Sequence, residues 1–213
     1  MKIKIDLTNE FPTTNSLDGN YDLYVNGFNG CNKISYGKEL SGQTQRLKSL
    51  CKLSEIQSRT IITAFDTDNY GILKQSVGVF DNGKLLGISD MSVSLGNSGY
   101  MPGSGGKLYD TKSCKFGIAV GDDVFTFDLF KSLAICGAEV IIAISNFKKK
   151  EINSILIRAY SFLLGVPTIL LFDNGCYVSN VNGDLVQPIE KDVYELEPYT
   201  DFILKTTKIK LKK

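Results

Sequence analysis

A chain of 213 residues can bury one well-packed core and is too short for two domains of average size, and its 43% hydrophobic and 22% charged residues give a globular composition. A net charge of +1 provides no field for nucleic acid or an anionic membrane surface, so neither partner is expected. Histidine does not occur at all, which excludes a Ser-His-Asp or Cys-His device and any His-bearing zinc site, since each needs an imidazole as base or ligand.

Met1–Leu7 alternates charged and apolar residues, which predicts an edge or half-buried strand rather than the continuous apolar core of a signal peptide. Tyr21–Asn26 reads as a buried strand that runs into the turn-rich stretch Gly27–Asn32. Over Gln45–Gln57, Leu47, Leu50, Leu53 and Ile56 recur every three residues and mark one apolar stripe of a helix. Thr60–Phe65 is a β-branched run of strand length. Asn82-Gly83 and Asn182-Gly183, each flanked by apolar runs, predict two hairpins with type I′ turns, because Asn-Gly tolerates the positive φ angles such turns need. Gly96–Gly106 is a loop.

Phe116–Val120 and Ala138–Ser145 are near-continuous apolar runs, as strands buried on both faces require. Between them Val124–Ile135 predicts a helix ended by Gly137. A further helix is expected over Glu151–Leu164, with Ile152, Ile155, Leu156, Ala159 and Leu163 on its buried face, before a strand at Thr168–Phe172. The lysine-rich end of the chain predicts a charged edge strand or a frayed tail. These elements predict one mixed-sheet α/β domain over residues 1–213. The longest apolar stretches fall short of the roughly 20 residues of a membrane span. The five cysteines are odd in number and form no CxxC pair, so neither a metal site nor a disulfide framework is expected and a reducing cytoplasm is.

Five segments in order carry a family resemblance: Asp22-Leu23-Tyr24-Val25; Phe80-Asp81-Asn82-Gly83-Lys84-Leu85-Leu86-Gly87; Met101-Pro102-Gly103; Lys115-Phe116-Gly117-Ile118-Ala119-Val120-Gly121-Asp122-Asp123 with Gly137-Ala138-Glu139; and Val181-Asn182-Gly183-Asp184-Leu185-Val186. Together they resemble the nitrilase, or carbon–nitrogen hydrolase, superfamily over nearly the whole chain. The resemblance implies an α-β-β-α sandwich, no cofactor and association into homodimers. It also implies a site in which a cysteine attacks the amide or nitrile carbon, a glutamate moves protons and a lysine steadies the developing charge. Matched by motif, the glutamate position falls at Phe28, the lysine position at Met91 and the nucleophile position at Gly121.

The expectation is therefore a carbon–nitrogen hydrolase homologue without catalytic residues, serving as a scaffold, a regulator or a binder of a small molecule. It would act as a homodimer or in a heteromer with an active relative. The alternative is an active amidohydrolase working through a non-standard site. Asp122 is a candidate to face the remnant pocket and meet a cationic ligand, while Asp123 reads first as a helix N-cap. Cys31, beside Phe28, and Glu39, in a faint match to the family's Pro-Glu-Leu, are candidates for a relocated site. Cys136, at a helix end, is expected to pack in the core.

Overall fold

The strand runs form two sheets that face each other through their most apolar side chains. The computed structural model describes residues 1–8, 10–28, 33–96, 99–173 and 175–198. The first sheet contains β1 (Lys2–Asp6), β2 (Leu23–Asn26), β3 (Lys33–Ser35), β4 (Thr60–Asn69), β5 (Ile72–Asp81) and β6 (Lys84–Asp90). The second contains β7 (Leu108–Asp110), β8 (Lys115–Val120), β9 (Val140–Ile144), β10 (Thr168–Phe172) and β11 (Gly175–Ser179). A last strand, β12 (Val193–Glu195), returns to the first sheet. The orders are β12-β1-β2-β4-β5-β6, with β3 paired to β4 beyond the end of β2, and β11-β10-β9-β8-β7. Parallel pairs (β1–β2, β2–β4, β3–β4, β8–β9, β9–β10) occupy the middle and antiparallel pairs the flanks.

Alternation along each strand decides which residues meet. Val25, Ile62, Val77 and Val79 of the first sheet pack against Phe116, Ile118, Val120 and Ile142 of the second in one inter-sheet core. Outside the first sheet lie α1 (Tyr36–Leu40) and α2 (Arg46–Gln57), and Leu50 of α2 closes a smaller cluster over Tyr24, Ile61 and Phe80. Outside the second lie α3 (Phe127–Ile135) and α4 (Lys150–Leu164), whose Phe130, Leu133, Ile157 and Leu164 cover Ala119, Ile141, Ala143 and Leu170. The layers run α-β-β-α, the mixed α/β architecture expected.

Several expectations need correction. Of the two expectations for β1, the half-buried strand holds and the edge strand does not, because β12 pairs outside it in antiparallel register. Ile56 of the α2 stripe is 60% exposed, since a strict three-residue spacing drifts round a helix of 3.6 residues per turn and the buried face runs through Leu50 and Ser54. In α4 the buried residues are Asn153, Ile157, Tyr160, Ser161 and Leu164, not the five predicted. Ile152 and Ile155 are instead 38% and 66% exposed, because the helix carries two apolar stripes and the one containing polar residues faces the sheet. The β5–β6 turn has Asn82 and Gly83 at φ 46° and 77°, as a type I′ turn requires. At Asn182-Gly183 only Gly183 has a positive φ; the turn is closed by the Gly183 N–H donating to Asn180 O at 3.0 Å and by the Asn180 side chain, which accepts from the N–H groups of Asn182 and Asp184, and its flanks meet in a single bridge, Ser179 to Leu185. Cys136 is exposed rather than packed in the core, because α3 ends at it. The lysine-rich tail and Cys31 lie outside the described residues.

Candidate functional site

Gly121 follows β8 directly and opens a 3₁₀ turn over Gly121–Phe125, with φ at +59°. That backbone suits glycine, since a side chain there is strained. Space is also lacking. A Cβ built on Gly121 would stand 2.4 Å from Gln75 Oε1 and 2.6 Å from Met91 Sδ. Gln75 comes from β5, on the face of that strand shared with Val77 and Val79. Met91 follows β6, is 1% exposed, and is held by two backbone bonds: its N–H donates to Gln75 O at 2.9 Å and its carbonyl accepts from Gly103 N–H at 2.8 Å.

The Asp122 N–H donates to Met91 Sδ at 3.4 Å. An N–H placed just after a strand-to-helix elbow is the group that steadies an oxyanion when a nucleophile sits at the elbow. Here a thioether occupies it. Phe28, just past β2, packs half-buried against the same inter-sheet core that contains Met91. The fold thus brings Met91 and Gly121 into contact and sets Phe28 against the core they share.

The two aspartates after Gly121 hold backbone. Asp123 is fully buried, and its Oδ1 accepts from Ser92 N–H at 2.9 Å, Ser92 Oγ at 2.7 Å and Val93 N–H at 2.9 Å. Its Oδ2 accepts from Val120 N–H at 3.3 Å. Burial pushes its carboxyl above the usual range, while these donors pull the other way. Asp123 is therefore an anchor tying the segment after Met91 to the elbow, and the cap it provides, through Val120 N–H, is that of the 3₁₀ turn rather than of α3. Asp122 accepts from Leu95 N–H at 2.8 Å through Oδ2, so this oxygen also ties down the 92–95 segment.

Glu39 lies apart from this group. It sits in α1 on the outer face of the first sheet, and its two oxygens accept from Arg46 N–H at 3.0 Å and Leu47 N–H at 3.2 Å, at the start of α2. Cys114 is buried within the inter-sheet core, and burial, with Glu139 adding to it, pushes its thiol up to about 12. Among the described residues no group of three His, Cys, Asp or Glu side chains is placed to hold a metal ion.

One pair near the elbow was not singled out from the sequence. Asp66, opposite Gln75 across the β4–β5 ladder, shares the inner face with Ile62 and Ala64. Tyr100 Oη donates to its Oδ2 at 2.9 Å. Burial raises the Asp66 carboxyl, and burial together with Asp66 pushes the Tyr100 hydroxyl up to about 12. Period-two reading of β4 past Phe65 is the signal that could have placed Asp66 inward.

Comparison with solved structures settles the architecture. The chain is similar to a glutamate variant of the amidase from Nesterenkonia sp. AN1 carrying acrylamide on its active-site cysteine. The TM-score is 0.74 at 13% identity, over 93% of this chain and 94% of that one. A cysteine-to-alanine variant of that nitrilase-superfamily amidase gives a TM-score of 0.72 at 12% identity, over 88% and 85%. The same amidase in complex with butyramide gives 0.70 at 13%, over 87% and 85%. This chain has the nitrilase fold. No protein-family model matches the sequence, and no curated protein matches it. At such identity the likeness concerns the nitrilase fold alone. Gly121 and Met91 directly follow β8 and β6, and Phe28 lies two residues past β2.

Proposed function

We propose that this protein keeps the nitrilase fold without carbon–nitrogen hydrolase turnover, as one domain over residues 1–213, and works by association or ligand binding in the cytoplasm. The observation that carries the reading is the contact of Met91 Sδ with the Asp122 N–H, in space that a side chain at position 121 would need. An attacking atom there would have to displace Gln75 and Met91. Nothing at Phe28 or Met91 can move a proton or supply a cation. The test is ammonia release from short aliphatic amides and nitriles by the purified protein. The expected rate is the background, and turnover proportional to enzyme concentration overturns the reading.

Association is supported by the exposed stripe of α4, where Ile152, Ile155 and Phe162 present apolar surface at helical spacing. A second copy packing on this stripe, or an active relative with the same fold, fits it best. Light scattering across a dilution series tests this.

One observation favours the alternative, a hydrolase with a non-standard site. Asp66, with its raised carboxyl and Tyr100 partner, is a titratable pair on the inner face beside Gln75. Turnover abolished by Asp66→Asn, with the fold intact, would establish that alternative.

A further inference from the structure

At the end of the sandwich opposite the elbow, a cleft of about 260 Å³ is lined by Asp22, Arg59, Asp81 and Lys112 with a few uncharged polar neighbours. Asp22 precedes β2, Arg59 precedes β4, Asp81 closes β5, and Lys112 lies in the turn before β8. Both sheets therefore contribute a wall. The six residues of β8 separate this cleft from Gly121 by about 20 Å.

Two cations and two carboxylates face one concavity, and among the described residues none of the four makes an ion pair. Their positions are nonetheless fixed. The Arg59 guanidinium donates to the carbonyls of Leu17 and Gly19 and lies over the Tyr21 ring, 4.1 Å from its centroid. These acceptors are neutral, no carboxylate is paired with the guanidinium among the described residues, and three of its five N–H donors are not engaged by the two carbonyls. Asp22 accepts from Lys2 N–H through Oδ2 at 2.8 Å, and that bond sets the orientation of its carboxylate. Asp81 accepts from Thr60 Oγ1 at 2.8 Å and Asn82 Nδ2 at 3.0 Å, with one lone pair on each oxygen left over.

We infer that this cleft binds a small zwitterion, a molecule carrying an ammonium and a carboxylate a few atoms apart, as a free amino acid does. Its carboxylate meets Arg59 and Lys112, and its ammonium meets Asp22 and Asp81. A ligand of one sign brings its charge against two like charges, whereas a zwitterion satisfies both pairs. The volume suits a molecule of a few heavy atoms. The inference is independent of whether the elbow is active.

Glycine, L-alanine and β-alanine serve as zwitterionic probes, with propionate and propylamine as analogues carrying one charge each. Thermal unfolding and calorimetry at millimolar concentration read the result. At least one zwitterion is expected to raise Tm, the two single-charge analogues are not, and Lys112→Glu is expected to weaken zwitterion binding about tenfold. Lys112 is exposed, so the unliganded Tm of the variant should match the parent. Lys112→Ser replaces it if the reversal disturbs folding. Three results overturn the inference: no stabilisation by any zwitterion, equal stabilisation by propionate or propylamine, or binding unchanged in both Lys112 variants.

Discussion

A side chain at position 121 meets two obstacles together, a positive φ and the atoms of Gln75 and Met91. Each costs on the order of 1–3 kcal/mol, so Gly121→Cys is expected to lower unfolding free energy by about 2–6 kcal/mol in urea denaturation. The new thiol has no base beside it, and stoichiometric alkylation at neutral pH beyond that of the parent would refute this account. Met91 separates volume from chemistry. Met91→Ala leaves a cavity and an orphan N–H on Asp122, with an expected loss of about 2–5 kcal/mol. Met91→Leu keeps the volume and removes only the acceptor, for a loss under about 1.5 kcal/mol. Equal losses in the two variants would mean that the sulfur contact outweighs the packing. None of this was legible in the sequence beyond the three residue names. The contact joins positions 91 and 121 through the packing of one sheet on another, and no spacing rule reports it.

Elements were legible where burial is uniform. β8, β9 and β10 are apolar on both faces, and the runs that marked them sit within two residues of the observed strands. α4 was misread because two stripes compete along it, and Asn153 and Ser161, which point into the core, look like surface residues. The stripe left outside gives a prediction at this scale. Ile155→Asp is expected to reduce self-association in light scattering while leaving the melting temperature of dilute protein within about 2 °C, since exposed positions contribute little to folding. A drop in dilute-state stability would instead place Ile155 in the monomer core.

The entry into α2 gives a second prediction. Glu39 holds the first two N–H groups of that helix, and its carboxyl lies below its ordinary 4.5, because the Thr44, Arg46 and Leu47 bonds outweigh burial. Its stabilisation is present above the unfolded value and is lost as pH falls through the lowered folded value. Glu39→Gln should therefore cost about 1 kcal/mol at neutral pH, and the gap to the parent should close below about pH 4. Asp66 and Asp123 have raised carboxyls and act in the opposite sense, since their neutral forms suit the fold and stability is lost as pH rises through their folded values. A gap that persists unchanged at low pH would assign the Glu39 effect to packing.

At the scale of the molecule, the layers and the likeness to nitrilase-superfamily amidases agree, and the two predicted readouts, background ammonia release and concentration-dependent mass, bear on function separately from fold. The pairing of β1 with β12 has a consequence for synthesis. The Met1 ammonium donates to Leu196 O across 195 positions of sequence, so β1 is completed by a strand made much later. Until residues beyond 190 leave the ribosome, β1 presents an open edge of unpaired backbone groups to the nascent chain's surroundings. Such distant pairing slows folding, because a long loop must close before the contact is gained. Deleting 190–198 should then give a chain that aggregates during expression rather than one that merely melts earlier.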